Sequence, residues 1–312
     1  MRHLALALGC AILGHIAGLS VAAAAPDTWV AGTGVDAGNC PATAPCRTLQ
    51  YALSHTRDGG IIAVRSSGSF AGVRINKSVT IAADGVVAII RTPANCGAVI
   101  CVNTTGVVTL RGLTIDPMGN GSDGIRIRNV GNFHLKQSII RQGRIGLLST
   151  TRGWSLVGMI EVSNSIIAGN EVGIKVIANG TSRIALDRVR VHNNRKGVEF
   201  DDSARAGTIA ASVTDSVISG HTGYGIHAVT TAPGWGGYPS VSVTLDRTAV
   251  LNNGRGISVN GAAARVRIGN STITGNDVAL LNINNGAIPS YGTNKLDGNG
   301  SGESPTVIIS SQ

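Results

Sequence analysis

The 312-residue chain carries 43 glycines against 9 prolines, with 3% aromatic and 14% charged residues. That balance departs from an ordinary mixed globular domain toward short strands and turns, and the regular recurrence of Val, Ile and Leu excludes a disordered chain. A formal charge of +9 draws a protein toward acidic partners or serves only its solubility, and the lack of aromatics interleaved with the basic residues argues against nucleic acid.

In chain order, the first segment is a short basic start at Arg2, an apolar run "LALALGCAILGHIAGLSV" and a small-residue end at Ala22 to Ala25. Those three parts predict a signal peptide over residues 1–24 and a secreted or periplasmic protein. Its removal takes Arg2 and leaves +8. No later segment is long and apolar enough to span a bilayer as a helix.

The exported portion then holds four cysteines, Cys40, Cys46, Cys96 and Cys101. An even count outside the cytosol predicts disulfides, and the close spacings "CPATAPC" and "CGAVIC" favour Cys40 with Cys46 and Cys96 with Cys101. Zinc is a poor alternative, because no histidines accompany them at ligand spacing.

From Leu110 onward the chain repeats. An apolar residue, two polar positions, a Ser, Thr or small residue, one variable position and then Ile or Val recur every 23 to 32 residues. The last of these residues are Ile115, Ile140, Ile167, Val191, Ile218, Val250 and Ile273. Each copy is followed by a second short strand that starts with a small residue and an apolar one, at Gly124, Gly146, Gly173, Gly197, Gly225, Gly256 and Ala279. Alternation of period two inside each unit marks strands, and a repeat of this length marks a solenoid of stacked rungs about 4.8 Å apart. One rung cannot bury its own apolar edge, so the seven Ile and Val residues are expected to form one buried column. Asn170, Asn194, Asn253 and Asn276 share a corner with His221, where a ladder of side chains is expected to satisfy backbone groups from rung to rung.

These features resemble the secreted right-handed parallel β-helix repeat proteins of the pectin lyase-like superfamily. The segments "APCRTLQYALSHTRDGGIIAV" and "GSFAGVRINKSVTIAADG" look like the opening of such proteins, in which a short amphipathic helix, here about Arg47 to His55, caps the open end of the coil. The fold expected is therefore all-β, a single-stranded right-handed parallel β-helix over residues 61–312, with a cap segment over 25–60 and a monomeric state. The superfamily hosts lyases, hydrolases, epimerases and proteins without catalysis, so fold alone leaves function open.

On a coil, a site is read across rungs. The outward column two residues after each small residue is Arg126, Leu148, Lys175, Glu199, His227, Ser258 and Leu281, which sets Lys175, Glu199 and His227 side by side. Unequal connecting segments follow the same strands, and they carry Trp154, the run Asp201, Asp202 and Arg205, and then Trp235 and Tyr238. A groove bounded by these loops is expected to bind sugar rings through Trp154, Arg205, His227, Trp235 and Tyr238. For chemistry, Glu199 and Asp201 lie about 6.6 Å apart along one strand face, near the low end for an inverting glycosidase pair. A lyase or epimerase instead uses carboxylates to hold Ca²⁺, for which Asp201 and Asp202 are the candidates, and a base such as Lys175. The Asp-Asp doublet and "SGHTGYG" resemble polygalacturonase elements, but that family's remaining motifs are missing.

The charges have a structural account as well. Asn164, Arg188, Asp215, Arg247 and Asn270 recur at one position, and alternating Arg and Asp there predicts an ion-pair ladder from rung to rung. No other cofactor is implied. The favoured reading is an exported protein that binds acidic polysaccharide or envelope glycan without cleaving it. The alternatives are a uronate lyase, epimerase or glycoside hydrolase, and a purely structural surface scaffold.

Overall fold

The computed structural model describes residues 25–150, 158–178, 180–203, 207–230 and 240–309. Among these residues there are 31 strands and one α-helix. The strands form three parallel sheets of twelve, nine and ten strands, and chain neighbours within each sheet come from successive turns of the coil. Each turn visits the twelve-stranded sheet, then the ten-stranded one, then the nine-stranded one, as in Thr181–Asp187, Arg190–His192 and Lys196–Asp202.

The expected column is present. Ile140, Ile167, Val191, Ile218, Val250 and Ile273 pair in register along the ten-stranded sheet, and with Ile115 all are at most 1% exposed. Phe70, Phe133 and Phe200 are the bulkiest wholly enclosed side chains. Burial of such columns is what holds rungs together, at about 25 cal/mol per Å² of apolar surface.

Two corners bend each rung. At the first, Gln137, Asn164, Arg188, Asp215, Arg247 and Asn270 all have φ between 47° and 51°. Except after Arg188, where Val189 stands, the next residue carries a hydroxyl, and three of these oxygens accept from the rung before: Ser165 from Ser138 N at 3.1 Å, Ser216 from Val189 N at 3.0 Å and Ser271 from Thr248 N at 3.2 Å. The charges expected to form a ladder along this line therefore sit at a left-handed corner, outside the strand proper. Arg247 pairs with Asp215 at 2.7 Å and with Asp246, but Arg188 pairs with its own neighbour Asp187 at 2.5 Å and bonds Asn164. The ladder is thus broken between Arg188 and Asp215, because Arg188 turns back along its own rung.

The second corner carries the asparagine ladder. Asn194 Oδ1 accepts from Asn170 N at 2.8 Å, Asn253 Oδ1 from His221 N at 3.0 Å and Asn276 Oδ1 from Asn253 N at 3.0 Å. His221 takes the missing place with the same geometry, since Nδ1 accepts from Asn194 N at 3.2 Å while Nε2 donates to Val191 O at 3.2 Å. The ladder runs one rung further than the sequence suggests, to Asn299 and then Glu303.

The cap helix spans Leu49–His55, starting two residues later than expected because Thr48 is the N-cap and accepts from Tyr51 N at 3.2 Å. Asp36 fixes that turn by accepting from Arg47 N and Thr48 N, each at 2.8 Å. Leu49, Ala52 and Leu53 are buried against the first strands, so the helix closes the core at that end. Both expected disulfides are formed, Cys40–Cys46 and Cys96–Cys101, which fits an exported protein. Among the described residues no helix is long and apolar enough to cross a membrane.

Candidate functional site

The outer face of the nine-stranded sheet brings together the residues read from the sequence column. Strands Val172–Ile177, Lys196–Asp202, Tyr224–Thr230 and Arg255–Asn260 pair so that Lys175, Glu199, His227 and Ser258 lie in one row. Parallel register keeps such rows straight over many rungs, so side chains far apart in sequence meet at strand spacing.

At the centre, Lys175 Nζ lies 2.9 Å from Glu199 Oε1 and 3.0 Å from Asp201 Oδ2. Lys196 Nζ approaches Glu199 Oε2 at 3.4 Å. Asp201 also accepts from Ser203 N at 3.0 Å and from Ser203 Oγ. Beside this cluster the Tyr224 and His227 rings stack with centroids 4.4 Å apart, and Lys196 and Arg255 stand over the Tyr224 ring at 5.9 and 5.2 Å. Such cation–π contacts hold an aromatic face rigid.

Asp202 does not join them. Side chains alternate along a strand, so Asp202 points into the coil, is wholly buried, and accepts from Gly207 N at 3.1 Å through both carboxylate oxygens. The pairing of Asp201 with Asp202 about one Ca²⁺ is therefore corrected: their carboxylates leave opposite faces of the same strand. Among the described residues no group of three or more His, Cys, Asp or Glu converges as a metal cage. Trp154, Arg205, Trp235 and Tyr238 lie outside the described residues.

Lys196, Tyr224 and Arg255 were not singled out from the sequence. The signal was there, because each immediately precedes the small residue that opens its strand, and that position reads Asp123, Ile145, Val172, Lys196, Tyr224, Arg255 and Val278. Variation along this second row marks it just as variation marked the first.

The family described as "Right handed beta helix region" matches residues 59–235. The chain belongs to this right-handed β-helix family. Among solved structures, the β-helix is similar to that of the pectate lyase Pel9A, with a TM-score of 0.51, 14% identity and coverage of 84% of this chain and 67% of that one. It also matches an alginate lyase of family PL6, AlyGC, at a TM-score of 0.39 and 14% identity, over 80% of this chain and 38% of that one. A third is the A-module of the Azotobacter vinelandii mannuronan C-5 epimerase AlgE6, at 0.36 and 12% identity over 85% and 91%. No curated protein matches the sequence.

Protonation decides what the row on this β-helix can do. Burial alone would lower the Lys175 pKa, but the bonds to Glu199 and Asp201 outweigh it and hold the ammonium above its ordinary range. Burial would raise Asp201, yet the bonds from Ser203 and Lys175 hold it below the ordinary carboxylate range. Lys175 is thus a poor base and Asp201 a poor acid. The ammonium also occupies the gap between the two carboxylates that a water or glycosidic oxygen needs in a hydrolase. His227 differs, since burial pulls its pKa below the usual histidine value and keeps it neutral near pH 7. Its Nδ1 is buried with no hydrogen-bond partner among the described residues.

Proposed function

We propose that this exported β-helix binds acidic polysaccharide along the outer face of its nine-stranded sheet and leaves the chain intact. The observation that carries this reading is the Lys175 ammonium clamped between Glu199 and Asp201, which makes Lys175 a poor base and Asp201 a poor acid. The basic charge, +9 for the whole chain and +8 without Arg2, and the cations Lys196 and Arg255 held over the Tyr224 ring support an acidic ligand. The similar fold of a pectate lyase, named for an acidic polysaccharide, supports that class of ligand and says nothing of the reaction.

A direct test incubates the protein with pectate and alginate, with and without Ca²⁺, and reads unsaturated products, new reducing ends and retention on the immobilised polymers. Salt-sensitive retention without product is the expected result. Product that disappears in D201N or K175M overturns it and establishes an enzyme.

A second reading rests on His227. A neutral imidazole beside Glu199 is the kind of group that takes a proton alpha to a uronate carboxylate, as a lyase or epimerase requires. Unsaturated or epimerised product that is lost in H227A but kept in K175M would support it.

A further inference from the structure

Away from the Lys175 row, the first rungs of the same sheet carry a second charged feature. A cavity of about 420 Å³ opens there, with Gln50, Arg74, Asn76, Asn103 and Arg128 among its walls. No carboxylate is among the residues that line it.

Arg128 owes its position to a break in register. Strand Asp123–Asn129 pairs Ile127 with Val102 and then Asn129 with Asn103, so Arg128 is the extra residue of a β-bulge. A bulge re-aims a side chain that regular pairing would have fixed in a row. Arg128 is exposed and has no hydrogen bond or ion pair with any described residue. Its neighbour Arg126 is fully engaged, by Asp123 at 2.6 Å and Cys96 O at 2.7 Å.

Arg74 faces the same cavity and is held in place. Its Nε donates to Ala94 O at 2.7 Å and its Nη2 to Asn95 O, which leaves Nη1 available. The loop supplying these carbonyls is tied to the sheet by the Cys96–Cys101 disulfide, so that bridge pre-orients one guanidinium. Gln50, on the cap helix, accepts from Arg74 N at 2.9 Å, and its amide NH₂ bonds to no described residue. The side chains of Asn76 and Asn103 make no bond among the described residues.

We infer that this cavity is an anion pocket for a sugar carboxylate, in which Arg128 and Arg74 take the carboxylate and Gln50, Asn76 and Asn103 take ring hydroxyls. Planar guanidinium forks match a carboxylate, and carboxamides both donate to and accept from hydroxyls. The volume suits one or two sugar rings. The inference rests on the acidic-glycan reading and adds a second contact point to it, at the capped end of the coil.

The test is calorimetric titration of the intact protein with trigalacturonate, with maltotriose as the neutral probe and inorganic phosphate as the simple anion. Wild type is expected to bind trigalacturonate only. R128A, which loses no internal contact and so retains the wild-type melting temperature, is expected to bind about tenfold more weakly. R128K restores part of that loss, and R195A, at a surface pair with Glu171, binds as wild type. Undiminished binding by R128A overturns the pocket while leaving the glycan reading standing. Phosphate binding as tightly as trigalacturonate overturns the assignment to a sugar acid, and failure of wild type to bind any uronate overturns both.

Discussion

At the corner between the ten- and nine-stranded sheets, buried donors find acceptors one rung away, and the same bond is made five times from Asn170 to Asn299. On the outer face of the nine-stranded sheet, a strand's length away, buried His227 Nδ1 and Ser258 Oγ have no partner among the described residues. Both regions are polar and buried. The corner has committed its hydrogen-bonding capacity to stacking, whereas these two groups on the face bond to no described residue.

That contrast predicts unequal responses to substitution. The largest effect belongs to the corner. N253A removes the acceptor for His221 N and the donor to Ile218 O and Asn276 Oδ1, so urea unfolding is expected to show a loss of about 4 kcal/mol or failure to fold. If N253A costs under about 1 kcal/mol, the ladder is not what holds the rungs.

K175M should come next, because it leaves Glu199, 6% exposed, facing Asp201 with no ammonium between them. A cost of about 2–3 kcal/mol is expected, and the triple variant K175M/E199Q/D201N should recover most of it. Recovery marks the cluster as a self-compensating charge network. A triple variant as unstable as the single one would show that packing, not charge, is at stake.

A smaller effect of opposite sign is expected at Asp202, where burial pushes the carboxyl up to about 6. A raised pKa in the folded state means that its contribution is present at low pH and is lost as pH rises through about 6. D202N keeps an acceptor for Gly207 N and should be more stable than wild type by about 1–2 kcal/mol at pH 8, with the two converging near pH 4.

The smallest effect sharpens the corner itself. Burial pulls His221 below its usual pKa, and Nδ1 must stay unprotonated to accept from Asn194 N. A lowered pKa gives stability that is present above about 6.5 and lost as pH falls. H221N should therefore flatten the decline in unfolding free energy between pH 7 and 5, by about 1 kcal/mol at the acid end. A parallel decline in both proteins would place acid sensitivity elsewhere.

Much of the coil was legible in the sequence because its physics is periodic. One rung's Ile167 and Asn170 predict the next rung's Val191 and Asn194, and both rows are found as expected. The hydroxyl ladder at Ser138, Ser165, Ser216 and Ser271 was legible only as a preference for Ser, Thr or small residues, since a single oxygen's direction is not a composition signal. Lys175, Glu199 and His227 were placed correctly because strand register is inherited from the repeat. Asp202 was misplaced because the connecting segment was read as one surface cluster, when alternation turns it inward. The Arg128 pocket could not be read, because a bulge shifts register without marking the sequence.

The central claim is that ligand binding belongs to the nine-stranded sheet and not to the regular corner. Backbone amide shifts recorded during titration with oligogalacturonate test it most directly. The account predicts perturbations on the nine-stranded sheet, including the strands Val172–Ile177, Lys196–Asp202 and Tyr224–Thr230, with Asn194, His221 and Asn253 unmoved. Perturbations centred on that corner, or on the twelve- or ten-stranded sheet, would contradict it.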